Sequence, residues 1–358
     1  MSQRQRDFDV VIIGSGFGGS VAALRLTEKG YRVAVIEAGR RFKDKDFPKT
    51  SWRLSKFLYL PRLGLRGIQR IHALPDVLIL AGSGVGGGSL VYANTLYRPP
   101  ATFFNTGSWA RMADWQTLLS PYYNQAERML GVETNPFESN SDRAVKKVAD
   151  RMGFGKTYRL TPLGIFFGTK KKLAEGTTVD DPYFGGKGPS RTTCTNCGEC
   201  MTGCRHGAKN TLVKNYLYLA ESAGAQVIAD TTVTDIQEVN DGSYLLSTRN
   251  SSSVGIIKPQ LITADQIIVA AGALGTAKLL QKVRAKGRLT GMSDQLGALS
   301  RTNSESLLGV VSRDDEIDYT EGSAITSSVF PDEHTHIEPV RYGKGSNLMG
   351  LLQTIMTD

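Results

Sequence analysis

Hydrophobic residues near the amino terminus form two short continuous runs separated by an amphipathic segment. Residues 9–13 read Asp-Val-Val-Ile-Ile, which predicts a buried parallel strand. Residues 20–29 carry apolar positions at helical spacing, and residues 31–36 read Tyr-Arg-Val-Ala-Val-Ile, so the pattern predicts a helix and a second strand. Together the three segments make one βαβ unit of about thirty residues.

The later part of the chain alternates between short strands and helices. Residues 77–81 predict an apolar strand, and residues 107–131 and 211–223 predict helices. An antiparallel excursion of short strands is expected at 226–228, 232–239, 244–247 and 260–263. A buried strand is then expected at 266–270, and a last helix at 274–284. The strand at 266–270 is expected to return to the first sheet. The whole pattern predicts the α/β class.

Glycines follow the first strand in a GxGxxG arrangement at Gly14, Gly16 and Gly19. In such a motif the first glycine permits a tight turn, the second lets the backbone approach a pyrophosphate, and the third lets helix and strand pack closely. Glu37 ends the second strand, 18 residues after Gly19, where the carboxylate of a ribose-binding acid belongs. A glycine-rich turn in another α/β protein and a solvated acid at a strand end are the alternatives.

A second glycine run follows the strand at 77–81 and reads Gly-Ser-Gly-Val-Gly-Gly-Gly-Ser from residue 82 to residue 89. Five glycines in seven positions do not make a stable strand or helix interior. Backbone this bare predicts that a flat group, such as a flavin ring or its pyrophosphate, lies against it. A flexible surface loop is the alternative.

In combination, residues 9–20, 35–39 and 82–94 resemble the glucose–methanol–choline (GMC) flavoprotein oxidoreductases, and within them the cholesterol-oxidase-like branch. Residues 267–276 resemble the family's strand and turn that return to the flavin, and residues 296–304 also look familial. The resemblance covers residues 7–350. It implies an α/β fold with a Rossmann-like FAD-binding domain of the GMC and p-hydroxybenzoate-hydroxylase type and a discontinuous substrate or cap region.

The resemblance implies non-covalent FAD. The FAD-binding domain is expected at 1–100 and 205–300, and the substrate or cap region at 101–204 and 301–358. Contacts with the FAD pyrophosphate are expected in the glycine loop after the first strand, and contacts with the ribose at the end of the second strand. The second glycine run is expected to contact the flavin ring. A later strand is expected to contact the adenine, and the turn after the strand at 266–270 is expected to close over the cofactor. The residues so implied are Gly14, Gly16, Gly19, Glu37, Ala38, Gly82, Gly84, Gly88, Ser89, Asn94, Val233, Ala271 and Gly272.

The implied reaction oxidises an alcohol carbon of a sterol or another apolar 3-hydroxy substrate, with hydride passing to flavin N5, and dioxygen or another acceptor then reoxidises the flavin. Family members are usually longer and carry a catalytic histidine near the carboxyl terminus. The four histidines of this chain, among them His72 and His206, lie outside that motif. A truncated member with poor turnover is therefore expected, and a compact variant with another base is the alternative. An electron-transfer dehydrogenase with FAD and an iron–sulfur cluster, and an inactive FAD-binding fragment, also stay open.

All four cysteines lie in one loop, at Cys194, Cys197, Cys200 and Cys204. Their spacing matches the bacterial iron–sulfur run, although Arg205 stands where proline is usual and no fifth cysteine exists. Zinc is a second option because four thiolates can close a tetrahedral site. A metal-free structural loop is the third. Such clustering does not suit the scattered disulfides of a small secreted domain.

Three late residues are weaker catalytic candidates. His334 and His336 can flank a substrate, and Glu338 can act as a carboxylate base toward a carbon beside a carbonyl. Solvated loop histidines and a surface acid are the alternatives.

The net charge and the hydropathy of the chain limit the binding partners and the location that are expected. The net charge of +9 favours anionic groups, and no nucleic-acid partner is expected. Neither a secretory signal nor an apolar run of spanning length is recognised, which predicts a cytoplasmic or membrane-peripheral protein. The basic excursion at 51–72 includes Trp52, Leu54, Phe57 and Leu58, and is expected to contact a membrane or to pack as a lid.

Overall fold

The computed structural model describes residues 6–253, 258–301, 303, 305–310, 312–314 and 316–352. Its strands are β1 (Phe8–Ile13), β2 (Val33–Ile36), β3 (Tyr59–Leu60), β4 (Leu65–Arg66), β5 (Gln69–Ala73), β6 (Leu78–Gly82), β7 (Glu133–Thr134), β8 (Arg159–Leu160), β9 (Pro162–Leu163), β10 (Thr178–Val179), β11 (Arg191–Thr192), β12 (Gln226–Ile228), β13 (Thr231–Glu238), β14 (Tyr244–Asn250), β15 (Gln260–Val269) and β16 (Ser327–Ser328).

The α-helices are α1 (Phe17–Glu28), α2 (Leu54–Phe57), α3 (Ala101–Asn105), α4 (Trp115–Met129), α5 (Asn140–Arg151), α6 (Tyr216–Ser222) and α7 (Gly272–Ala285). Short 3₁₀ helices lie at Asp44–Asp46, Pro61–Leu63, Gly87–Leu90, Gly155–Thr157, Thr169–Lys171, Glu199–Thr202, Leu212–Lys214 and Leu348–Leu352. Within the described residues, no helix combines the length and the apolar character needed to cross a membrane.

The described residues form two compact units. The first draws on Met1–Val91, Leu212–Val311 and Asn347–Asp358, and the second on Tyr92–Thr211 and Ser312–Ser346. The sequence-based boundaries at 100, 205 and 300 lie near these divisions but leave the last segment in the cap region. In the structure that segment belongs to the first unit, where the Trp52 indole donates to Asn347 Oδ1 over 2.7 Å and the Leu348 amide donates to Ser51 Oγ over 3.1 Å.

A six-stranded sheet organises the first unit in the order β12-β2-β1-β15-β14-β13. β1 pairs in parallel with β2 and β15, and β12 pairs in parallel with β2, while β13, β14 and β15 form an antiparallel meander. The predicted βαβ unit, the antiparallel excursion and the return of the late strand are all present. The α/β prediction is confirmed.

One part of the strand prediction was wrong. Separate strands at 260–263 and 266–270 were expected, but β15 is one ten-residue strand. Ala264 lies between the two predicted pieces and is fully buried, and it pairs with Phe8 of β1 on one side and with Tyr244 of β14 on the other. Backbone pairing on both sides of Ala264 joins the two predicted pieces into one strand.

Two predicted helices are shorter than expected. The stretch 107–131 is represented by α4 alone, which starts where the Asp114 carboxylate accepts the Thr117 amide over 3.1 Å and so caps the helix. The stretch 211–223 is divided into a 3₁₀ turn at Leu212–Lys214 and α6. The Asn215 side chain accepts the Tyr216 amide over 2.6 Å and marks the start of α6.

The core of the first unit lies on the sheet. Buried side chains from β1, β2, β13, β14, β15 and α7 pack together there, namely Val11, Ile13, Ala34, Ile36, Val233, Ile236, Leu246, Ala264 and Val283. The carboxyl ends of β1, β2 and β15 share one edge of this sheet because the three strands are parallel. The turns that follow these strands are therefore brought together.

Short ribbons and loops make up the second unit, with pairs β7–β9, β8–β16 and β10–β11. A buried polar network ties them to α5. The Asp142 carboxylate, which is fully buried, accepts the hydroxyls of Ser139 and Thr326, and the Arg341 guanidinium donates to Thr326 Oγ1 over 2.8 Å. This network links α5 to the segments that carry Thr326 and Arg341, and so stabilises a unit that has few long strands.

Candidate functional site

The turn between β1 and α1 has little room for side chains. Gly14 has a φ of +106°, and a Cβ there would lie 2.4 Å from the Ala270 carbonyl oxygen. A Cβ on Gly19 would lie 2.0 Å from the Gly14 carbonyl oxygen. Gly16 differs, because a Cβ on it would meet no atom within 4 Å. The first and third glycines are thus required by packing, while the second presents bare backbone to open space at the start of α1.

The Glu37 carboxylate joins the two glycine loops. It is 7% exposed, and its Oε2 accepts the Ser15 hydroxyl over 2.7 Å and the Ser15 amide over 3.2 Å. Its Oε1 accepts the Gly39 amide over 2.8 Å and the Gly84 amide over 3.4 Å. The Ser15 hydroxyl in turn accepts the Gly86 amide over 3.1 Å. Glu37 is therefore a buried organiser of both loops, and its predicted contact with a ribose stays a prediction.

The second glycine run packs closely on itself and on the first loop. A Cβ on Gly82 would lie 2.3 Å from the Gly87 carbonyl oxygen, and a Cβ on Gly87 would lie 2.7 Å from the Gly16 α-carbon. Gly84 has a φ of +125°. Ser89 closes the run, because its hydroxyl donates to the Gly86 carbonyl over 2.7 Å and accepts the Leu212 amide over 3.0 Å. The run is an ordered turn of the first unit.

Other predicted cofactor residues also lie in the first unit. The Ala38 carbonyl accepts the Tyr59 hydroxyl over 2.8 Å, and Val233 is buried in β13. Ala271 and Gly272 follow β15 and begin α7. A cavity of about 400 Å³ opens beside them, and its lining includes Gly18, Gly272, Leu296 and Gly297. Of the motif at 301–304, Thr302 and Ser304 lie outside the described residues.

These features fit a dinucleotide. Backbone at Gly16 and Gly18 faces open space, and the first amides of α1 point out of the helix start, where the helix dipole favours an anion. The second loop adds a closely packed backbone surface at Gly87. A phosphate-bearing cofactor with a flat ring is the kind of ligand that such a surface can accept.

Asn94 lies in the second unit. It is fully buried with a φ of +74°, and its side-chain oxygen and nitrogen have no hydrogen-bond partner beyond a weak contact with the Cys200 thiol. A buried amide without a partner is costly, so this position suits a group that receives a ligand. Its assignment to the cofactor stays a prediction.

All four cysteines line one small cavity of the second unit, and all are free thiols. Burial raises the pKa of the Cys197 thiol to about 11 and raises those of Cys194 and Cys200 as well. The Lys209 ammonium is buried beside them, where it donates to the carbonyls of Tyr92 and Cys200, and burial lowers its pKa to about 8.

Among the described residues, the four cysteine sulfurs are not gathered as closely as the ligands of one tetrahedral ion would be. Within the part of the chain that the structure describes, no three of the four sulfurs lie within 4.8 Å of one another. The group that does converge so closely is Cys197, Glu199 and His206. Iron–sulfur ligation by Cys194, Cys197, Cys200 and Cys204 stays a prediction.

The late histidines and Glu338 have different surroundings. The His334 side chain is 78% exposed and pairs with Glu333, as expected for a solvated loop. Glu338 is 20% exposed, and its Oε1 accepts the Tyr97 hydroxyl over 2.6 Å and lies 3.5 Å from His336 Nε2.

Aromatic packing holds the His336 ring. It stacks on Phe330 with a centroid distance of 4.4 Å and meets Tyr97 edge-on. Burial and the Arg159 guanidinium lower the pKa of His336, which keeps the imidazole neutral at pH 7. The structure thus brings His336 and Glu338 together and leaves His334 apart from them.

Four residues that matter here escaped the sequence analysis. Ser15 lies inside the first motif, and a polar residue between two glycines was an available signal. Glu199 lies within the cysteine loop and His206 just after it, and the closeness of carboxylate, imidazole and thiol groups in sequence was an available signal for a shared metal site. Tyr97 is 241 positions from Glu338, and no local pattern connects them.

Comparisons with known proteins agree with this geometry. Residues 9–45 match a model described as an FAD binding domain, and residues 189–286 match a model described as GMC oxidoreductase. A cholesterol oxidase of Mycobacterium tuberculosis is 61% identical over 354 residues, which are 98% of this chain and 61% of that protein. The chain belongs to the GMC oxidoreductases. The predicted family and the predicted FAD cofactor are confirmed.

Two further matches complete the picture of this GMC chain. A cholesterol oxidase of Acinetobacter baumannii is 45% identical over 99% of the chain and 65% of its own length. A solved structure of a fungal aryl-alcohol oxidase aligns with a TM-score of 0.49 and 17% identity, over 78% of this chain and 48% of that chain. The GMC chain therefore spans less than two thirds of the length of the curated relatives it matches, and neither matched family description names an iron–sulfur cluster.

We expect Glu37→Ala to weaken FAD binding by about 1–3 kcal/mol, the scale for losing a charged hydrogen-bond partner. The change leaves the buried amides of Ser15, Gly39 and Gly84 without their acceptor, so both loops lose order. Titration of the apoprotein with FAD, followed by flavin fluorescence, measures the effect. Glu238→Ala, at an exposed acid that ends β13, is the control. Equal affinities of the two variants would show that Glu37 is only an acid at a strand end.

Gly16→Val is expected to abolish FAD loading without unfolding the chain. The branched side chain enters the open space in front of α1, where the pyrophosphate is expected, and its Cβ would meet no protein atom within 4 Å. Flavin absorbance per chain after purification and the thermal melting of the apoprotein are the two measurements. Gly291→Val, also in open space but away from the loops, should load normally. A yellow Gly16→Val protein would place the pyrophosphate elsewhere.

Proposed function

We propose that this chain carries the FAD-binding portion of an alcohol oxidase that acts on a sterol or a similarly apolar 3-hydroxy compound. The observation that carries the proposal is the 61% identity to a cholesterol oxidase across 98% of the chain, a match that includes both glycine loops and the cysteine loop. When bound by these residues, FAD would supply the acceptor for the hydride of the alcohol carbon, with dioxygen or another compound as the final electron acceptor.

In this proposal, the residues of the chain bind the FAD and orient it. The amides at the start of α1 and the bare backbone at Gly16 bind the diphosphate. Glu37 holds Ser15 and Gly84, so the two loops are ordered before the cofactor arrives. Order that exists before binding lowers the entropy cost of binding.

Glu338 is proposed as a carboxylate base that acts after the oxidation. A ketone made from a 3-hydroxy compound has acidic hydrogens on the carbons beside its carbonyl, and a carboxylate can remove one of them. Glu338 suits this task because Tyr97 fixes one of its oxygens and a neutral His336 lies 3.5 Å away.

Contact of the exposed Trp52 and Leu54 with a membrane also stays a prediction, and Phe57 takes no part in it because it is fully buried.

The test of the function is a single turnover without oxygen. FAD-loaded chain is mixed with a 3β-hydroxysteroid, and the flavin absorbance is followed until it is constant, so that slow chemistry still registers. We expect bleaching with the 3β-hydroxysteroid and none with its 3α epimer, because an oriented site delivers only one hydrogen to the flavin. Equal bleaching with both epimers, or none with either, would contradict the proposal.

Glu338→Gln is expected to slow proton removal from a steroid 3-ketone by about 10²–10⁴-fold, the usual share of a positioned acid or base. The ketone is supplied directly, and the loss of hydrogen beside its carbonyl is followed by deuterium exchange, which needs no flavin reduction. Glu333→Gln is the matched control, since Glu333 also lies beside a histidine but is 70% exposed. If both variants exchange at the rate of the unchanged chain, Glu338 is not the base.

A further inference from the structure

The loop from Cys194 to His206 contains donor groups that the predicted cofactor site does not use. The Cys197 sulfur, a Glu199 carboxylate oxygen and a His206 ring nitrogen all lie within 4.8 Å of one another. They also line the same small cavity. Sulfur, oxygen and nitrogen donors meeting at one point are the ligands of a transition-metal ion.

We propose that this loop binds one divalent metal ion of the zinc class through Cys197, Glu199 and His206. Three protein ligands leave a fourth tetrahedral position for water or another small ligand. The proposal goes beyond the oxidation of alcohols and does not depend on it.

The Glu199 carboxylate supports the assignment. Its Oε2 is buried and has no hydrogen-bond partner, and it lies 3.9 Å from His206 Nε2. That distance is too long for a hydrogen bond. It is close to the spacing of about 3.3–3.8 Å between two ligands of a tetrahedral ion that is bonded to each at about 2.0–2.3 Å. The gap between the two side chains therefore has the size of an ion.

The backbone fixes these donors in advance. Gly198 has a φ of +71°, and a Cβ there would lie 2.3 Å from the Thr320 carbonyl oxygen. Cys197 forms a bridge with Gly322, and a Cβ on Gly343 would lie 2.9 Å from the Cys197 carbonyl oxygen. The Cys197 sulfur also accepts the Glu199 amide. A loop held this tightly keeps its donors together without a ligand, which favours binding.

Charge and size select the kind of ion. A thiolate and a carboxylate bring two negative charges that a divalent ion neutralises, and the imidazole adds a nitrogen donor. Sulfur and nitrogen favour zinc over magnesium or calcium. The cavity measures about 10 Å³, which is room for about one water-sized body. His206 is 42% exposed, so an ion can reach the site from solvent.

The test is metal binding by the intact chain. Chelator-treated protein is titrated with Zn²⁺ by calorimetry, and separately with Co²⁺, whose thiolate charge-transfer band reports a sulfur ligand. We expect one ion per chain and a cobalt–thiolate band. Cys197→Ser, Glu199→Gln and His206→Gln should each weaken Zn²⁺ binding by about 10–100-fold or more. Flavin content and melting temperature of each variant show that the chain is still folded.

Cys194→Ser is the matched control, because Cys194 lines the same cavity but lies outside the converging group. It should bind Zn²⁺ within about twofold of the unchanged chain. Three results would overturn the proposal: no Zn²⁺ binding, loss of binding in Cys194→Ser equal to that in Cys197→Ser, or iron and sulfide in the purified protein that are lost in Cys194→Ser and kept in His206→Gln. The last result would identify a four-cysteine cluster.

Discussion

The Glu37 carboxylate is the contact on which the candidate site depends. Three segments converge on its two oxygens: Ser15 from the first glycine loop, Gly84 from the second, and Gly39 from the turn that follows β2. Because the group is buried, each amide that it accepts would otherwise be unsatisfied. The glycines leave space at the candidate site, and the Glu37 side chain fixes the conformation of the loops around that space.

The sheet delivers these turns to the same place. β15 joins β1 through its second half and β14 through its first half, so one strand connects the parallel and antiparallel parts of the first unit. The strand also leads directly into Gly272 and α7, next to the turn at Gly14. The predicted cofactor residues near these turns are therefore positioned by the carboxyl ends of strands, which is where ligands bind in open α/β sheets.

Sequence reasoning succeeded where the information is local. The βαβ unit, both glycine runs and the acid that follows β2 were all recognisable, because strand and helix periodicity and glycine spacing are properties of neighbouring residues. It missed contacts that depend on partners distant in sequence. The bonds of Glu37 to Ser15 and Gly84 depend on how the loops meet, while its expected contact with a ribose stays a prediction. The pairing of Glu338 with Tyr97 and the donor group at Glu199 and His206 arise in the same way.

The pairing of Phe8 with Ala264 has a consequence for how the protein reaches this structure. Partners on β1 and β15 are 256 positions apart, so the central ladder closes only after a very long loop has been ordered. Such contacts slow folding. During synthesis the Val10–Ile13 stretch emerges before β15 and until then has one edge unpaired, as an apolar strand that other chains can join. The protein is therefore expected to need chaperone protection during translation, at a strand that is fully covered once folding is complete.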